Sequence, residues 1–65
     1  MLINMKIENA ETRVELKSIC LFLNKSEANE LRDTLDILIK AEDAERHAHV
    51  LSSDYTREIA VVVTS

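Results

Sequence analysis

The chain of 65 residues contains no glycine and no proline. At average usage of roughly 7% Gly and 5% Pro, about eight such residues would be expected. Phosphate-binding loops, dinucleotide-binding turns and the nucleophile elbow of hydrolases all need glycine, because a Cβ obstructs their backbone geometry. The commonest nucleotide-binding and acyl-transfer sites are therefore excluded.

Cysteine is almost absent as well. Cys20 is the single cysteine, so neither an intramolecular disulfide nor a cysteine-rich zinc site can stabilise the fold, and no cofactor is expected. The first residues lack the basic start and apolar run of a secretory signal, and no apolar stretch approaches the roughly 20 residues of a transmembrane helix. We therefore expect one cytoplasmic domain, residues 1–65, without a membrane segment. A domain of this size buries only about 60% of its unfolded surface, which makes self-association a natural means of stabilisation.

Basic and aromatic residues are also sparse. The net charge is −4, from twelve acidic and eight basic residues, and Phe22 and Tyr55 are the only Phe, Tyr or Trp side chains. A nucleic-acid-binding surface normally needs a basic stripe and, for single strands, aromatic platforms. Nucleic-acid binding is therefore not expected, whereas an acidic surface suits protein partners.

The first third of the chain predicts two strands. Apolar and polar residues alternate over residues 2–8, which is typical of a half-buried strand. A turn follows at residues 9–11, where Asn9 is expected to tolerate the positive φ that glycine usually supplies. The second strand begins near Thr12 and becomes continuously apolar over residues 19–23. The alternation slips at Lys17 and Ser18, which predicts a β-bulge there.

Residues after Leu23 predict one amphipathic helix. Ser26 is the expected N-cap, and Glu27 and Glu30 place negative charge at the helix N-terminus. Apolar residues then recur at steps of three and four: Ala28, Leu31, Leu35, Leu38 and Ile39. The helix is expected to end between residues 41 and 46.

The last third predicts a second hairpin, with strands at residues 47–51 and 55–65 around a turn at residues 52–54. The fold class is therefore α+β, a two-layer ββαββ domain with one helix packed on one face of a four-stranded antiparallel sheet. The continuous apolar runs at residues 19–23 and 59–63 favour central positions for strands two and four, which gives the order 1-2-4-3.

One helix can cover only one face of that sheet. The helix is expected to meet Ile3, Met5, Ile7, Ile19, Leu21, Leu23, Val50, Ile59, Val61 and Val63, which leaves Cys20, Phe22, Ala48, Ala60 and Val62 on the open face. Packing two open faces together in a homodimer would bury the central apolar residues. The alternative is that a monomer tolerates these residues on its surface.

Two histidines form the nearest approach to a chemical site. His47 and His49 are two residues apart on a predicted strand, so both imidazoles point to the same face, where Cys20 is also expected. Two histidines supply half of a tetrahedral metal shell, and a dimer would be needed to complete it. The alternatives are a polar edge strand that discourages aggregation, or protonation near pH 6.

The polar stretch at residues 54–58 contains Tyr55 and Arg57, residue types that are favoured at interface hot spots. Its alternative role is that of a turn with solvent-facing charges. Cys20 is expected to behave as a small hydrophobe, and the helix carboxylates as a solvated face. The sequence thus favours a non-enzymatic protein-binding or regulatory protein that is homodimeric through the open sheet face, with Tyr55, Arg57, Phe22 and Val62 as partner-binding residues. The alternative is an oligomeric protein that binds a small ligand, or a metal through His47 and His49.

Overall fold

The computed structural model describes residues 5–41 and 46–64. In these residues two short strands precede a single helix and two longer strands follow it. The order ββαββ and the α+β class predicted from the sequence are confirmed.

The N-terminal hairpin pairs β1 (Ile7–Glu8) with β2 (Glu15–Leu16) in antiparallel register. The side chain of Asn9 forms its turn, because Oδ1 accepts hydrogen bonds from the backbone N–H groups of Glu11 and Thr12 at 2.9 and 3.0 Å. The residue with positive φ is Arg13, at 66°, so the prediction that Asn9 supplies this conformation was wrong. Residues 2–4 of the predicted first strand lie outside the described residues.

β2 is much shorter than the predicted second strand. It ends at Leu16, and residues 17–23 join no strand among the described residues. Their side chains are exposed, including Ile19, Leu21 and Phe22. No backbone hydrogen bond connects residues 17–23 to another segment of the described chain. A run of β-favouring apolar residues is therefore exposed, and its peptide groups make no backbone hydrogen bond to the other described residues.

The helix, α1, spans Lys25–Lys40, and its N-cap is Asn24. The prediction of Ser26 was wrong by two residues, because Asn24 and Glu27 form a reciprocal capping box around the first turn. The helix ends just before the predicted range, with the N–H of Ala41 bonded to the carbonyl of Ile37. No helix in the described part of the chain is long and apolar enough to span a membrane.

The C-terminal hairpin pairs β3 (His47–Leu51) with β4 (Glu58–Val62) over five residue pairs. β3 packs on α1, and the two buried apolar side chains of the described residues lie at this contact: Leu38, 6% exposed, and Val50, 2% exposed. Ala48 was predicted on the open face, but it shares the inner face with Val50 because side chains two residues apart point the same way.

The two hairpins form separate two-stranded sheets in the described residues, and the four-stranded order 1-2-4-3 is not shown. The accessible surface is correspondingly large. The chain exposes 5998 Å², whereas a compact monomer of its mass exposes about 4,200 Å². The Cα radius of gyration is 12.6 Å, against about 10.7 Å expected for a compact domain of this length. The single chain thus leaves about 1,800 Å² more surface uncovered than a compact monomer would.

Candidate functional site

A polar junction ties the start of α1 to the turn of the C-terminal hairpin. One carboxylate oxygen of Glu27 accepts a hydrogen bond from the backbone N–H of Asn24 at 2.9 Å, and the other accepts from the backbone N–H of Ser53 at 2.8 Å. The Asn24 amide donates to the Ser53 hydroxyl at 3.1 Å. The Asn24 bond, followed by the Ser53 bond, lowers the pKa of Glu27. The junction fixes the hairpin turn relative to the helix.

The hairpin turn itself is built around Asp54. Its Oδ1 accepts hydrogen bonds from the Ser52 hydroxyl at 2.7 Å and from the Thr56 hydroxyl and N–H at 2.7 and 3.1 Å. These donors, the Ser52 hydroxyl first, lower the pKa of Asp54 from 3.8 to about 2. The role of Asp54 as a turn residue, an alternative left open by the sequence, is therefore observed.

Tyr55 occupies the tip of this turn in a left-handed conformation, with φ of 62°. This region is unfavourable for a bulky residue and is usually filled by Gly, Asn or Asp. The side chain is 79% exposed, so intramolecular packing does not explain a tyrosine here. An exposed aromatic residue on a strained backbone is typical of a position used for contact with another molecule.

A groove of about 710 Å³ separates residues 20–23 from the C-terminal hairpin; we call it the hairpin groove. Its apolar lining includes Leu21, Phe22, Val50, Leu51 and Ile59, and Glu27 and Arg57 lie at the same surface. Phe22 is 91% exposed. The structure therefore brings two of the predicted partner-binding residues, Phe22 and Arg57, to one groove.

The other two predicted partner-binding residues lie elsewhere on the surface. Val62 is exposed on the outer face of the C-terminal hairpin, directly opposite His47, and Tyr55 is at the turn. Ala60 pairs with His49 on the same outer face. The open face of this hairpin therefore carries both histidines beside Val62 and Ala60.

His47 and His49 do lie together, with ring centroids 6.0 Å apart in an edge-on arrangement. The Nδ1 atom of His49 is 3.5 Å from a carboxylate oxygen of Glu58 on the paired strand. No group of three or more His, Cys, Asp or Glu side chains in residues 5–41 and 46–64 is placed to hold a metal ion. Cys20 lines the hairpin groove as an exposed free thiol.

Sequence reasoning missed the polar junction between helix and hairpin. The spacing of Asn24 and Glu27, an N-cap residue followed three positions later by Glu, was the available signal for the cap. The contact of Glu27 with Ser53 spans 26 residues and has no local signal.

Comparison with known proteins gives no match. No protein-family model fits the chain, and no curated protein or solved structure matches it.

Proposed function

We propose that this protein is non-catalytic and acts by binding proteins, and that two copies associate through the open sheet face. The observation that carries the proposal is the uncovered apolar surface. Among the described residues, Phe22, Val62, Leu51 and most of the apolar run after β2 are exposed. Stable interfaces bury about 800 Å² of accessible surface per partner. This is less than the roughly 1,800 Å² by which the accessible surface of this chain exceeds that of a compact monomer.

The proposed dimer surface comprises the apolar run around Phe22 and the outer face of the C-terminal hairpin around Val62. Phe22 is a large and almost fully exposed aromatic side chain, which is the type of residue that anchors interfaces. The four-stranded order 1-2-4-3 belongs to this proposal. The pair that this order adds is the one between residues 17–23, which join no strand among the described residues, and the edge of β4 that is not paired with β3.

A further protein partner is proposed to contact Tyr55 and Arg57. Both belong to the hairpin turn that the junction with α1 fixes, so they are presented on a defined scaffold. The Arg57 guanidinium is bonded only to the exposed Thr56 hydroxyl in the interactions described, at 3.2 Å, and it lines the hairpin groove. An acidic or aromatic side chain of a partner fits this pair. The cytoplasm, where Cys20 stays reduced, is the proposed location.

Native mass spectrometry of untagged protein, purified without chelator, tests the proposal. We expect an assembly of two or more chains without added mass. Phe22→Glu should reduce the number of chains per particle twofold, because it places a charge in the contact. Ile37→Glu is the matched control, since Ile37 is also exposed and apolar but does not line the hairpin groove. A wild-type protein that is monomeric at every concentration would contradict the proposal.

A metal-binding oligomer is the second candidate. It rests on the 6.0 Å separation of the His47 and His49 rings on one exposed face. Two copies are required to supply four imidazoles. Zinc added to the purified protein should then bind with one ion per two chains, and His47→Ala should abolish that binding without changing the fold. Zinc binding that survives this substitution would contradict the second candidate.

A further inference from the structure

One side of α1 carries apolar residues that the rest of the described chain does not cover. We call it the helix flank, and it consists of Ala28, Leu31, Leu35 and Ile39, continued by Leu23 before the helix and bordered by Arg32 and Asp36. These residues line a shallow groove of about 450 Å³. Leu38, which is buried against β3, adjoins this flank, because it is three residues from Leu35 and seven from Leu31.

The flank is a continuous stripe along most of the helix. Its apolar members are three or four residues apart, so they lie above one another on one face. Leu31 and Leu35 are half-buried beside the packed side, whereas Ile39 is 66% exposed. An apolar stripe of this spacing on a surface helix is normally covered by other apolar side chains, and a second helix is one structure that can supply them.

We propose that a second copy of the chain docks its own helix flank antiparallel onto this one. Two-fold symmetry pairs each patch with itself, so a suitable patch must be self-complementary. The flank meets this condition. Ala28 and Ile39 lie at its two ends, and the point midway between them along the helix is within one residue of the point midway between Arg32 and Asp36. A single two-fold axis at that level sets the small Ala28 opposite the large Ile39 of the copy.

The same axis also matches charge. Arg32 and Asp36 lie on the same edge of the flank, one turn apart, and an antiparallel copy reverses their order. Arg32 then faces Asp36 of the copy, and Asp36 faces Arg32 of the copy. In the single chain their partners are exposed neighbours, Asp33 at 3.1 Å and Lys40 at 2.9 Å. The intermolecular pairs fix the orientation and register of the two helices more than their affinity.

The uncovered area allows this contact in addition to the proposed sheet-face contact. One standard interface covers about 800 Å² of accessible surface per partner. The accessible surface of the chain exceeds that of a compact monomer by about 1,800 Å², which is enough for two such interfaces. Two different two-fold contacts per chain generate a closed tetramer when the two axes meet at a right angle. The helix-flank contact does not require the sheet-face contact. The tetramer does, so the expected number of four chains rests on the proposed function.

Native mass spectrometry and sedimentation of charge variants test the helix flank. The background is Phe22→Glu, which removes the sheet-face contact and, at a 91% exposed position, leaves the helix unchanged by circular dichroism. The wild type is expected as a tetramer and the Phe22→Glu protein as a dimer. Adding Arg32→Glu sets like charges opposite each other twice and should raise the dimer dissociation constant at least about tenfold. Adding Asp36→Arg to that protein restores opposite charges and should restore the dimer.

The outcomes separate the two contacts. The helix-flank contact is refuted if the Phe22→Glu protein is a folded monomer. It is also refuted if Arg32→Glu does not weaken the dimer of that protein, or if the further change Asp36→Arg does not restore it. The sheet-face proposal stands in each of these cases. If Phe22→Glu leaves the wild-type assembly intact but Arg32→Glu dissociates it and the exchange restores it, the helix flank is supported and the sheet-face contact fails.

Discussion

Replacing the helix N-cap tests whether α1 is capped by Asn24, as in the structure, or by Ser26, as the sequence pattern predicts. Asn24→Ala removes the side-chain oxygen that accepts from the Glu27 N–H at 2.7 Å, and it also removes the amide that bonds Ser53. Loss of an N-cap costs about 1 kcal/mol of folding free energy, in a range of roughly 0.5–2. The Ser53 bond is exposed and adds little. We therefore expect a loss of about 1–1.5 kcal/mol.

Ser26→Ala is the matched control, because Ser26 is the N-cap that the sequence pattern suggests and it lies inside the first turn. Its effect should stay within about 0.5 kcal/mol, since alanine has the better helix propensity. Asn24→Asp keeps the acceptor and loses only the donor to Ser53, so it should resemble the wild type more than Asn24→Ala does.

Urea unfolding followed by circular dichroism measures these differences. With a slope of about 1 kcal/mol per molar urea for so small a domain, Asn24→Ala should lower the midpoint by about 1 M. A thermal scan should show a decrease of roughly 4–8 °C per kcal/mol. All proteins must be compared at one concentration, because association stabilises the folded state by mass action. A larger loss for Ser26→Ala than for Asn24→Ala would refute the capping assignment.

Three further outcomes are expected. The pKa of Asp54 falls from 3.8 to about 2 on folding, so its contribution to stability is fully present above pH 3.8 and is lost as the pH falls towards 2. The difference between the urea midpoints at pH 7 and at pH 2.5 should therefore be smaller for Asp54→Asn than for the wild type. Leu38→Ala should cost about 2–5 kcal/mol, whereas Ile37→Ala, at an exposed position, should stay within about 0.5; equal losses in urea unfolding would contradict the packing of α1 on β3. Tyr55→Asn should raise the unfolding temperature, with a gain of about 0.5–1 kcal/mol from the left-handed backbone, and a lower temperature would show that the tyrosine side chain stabilises the turn.

Local patterns predicted the elements that depend on local physics. The apolar steps from Ala28 to Ile39 located the helix, because helical periodicity is a property of neighbouring residues. The apolar run over residues 59–63 predicted a strand there, and β4 includes four of these five residues. The inner-face assignment of Val50 followed from the same alternation, but Ala48 was placed on the wrong face although it is two residues from Val50.

The candidate site was less predictable, because its geometry depends on contacts between distant segments. Phe22 and Arg57, which are 35 residues apart in the sequence, line one groove beside the junction of Glu27 with Ser53. The left-handed conformation of Tyr55 likewise depends on how the Asp54 network closes the turn. Composition identified these residues as candidates, but only the three-dimensional arrangement brings some of them together.

Residues 17–23 show how association connects with folding in this chain. Their composition favours a central strand, yet no strand pairs with them in the described chain and their apolar side chains remain exposed. Two apolar side chains are buried in the described part of the chain, both at the helix–hairpin contact, and this is little hydrophobic burial to offset the conformational entropy of these residues. Contacts that cover the apolar run or the helix flank supply burial that the monomer lacks. Stability should therefore rise with protein concentration, and the helix-flank variants that dissociate the assembly should also lower its unfolding temperature, although they change only exposed charges.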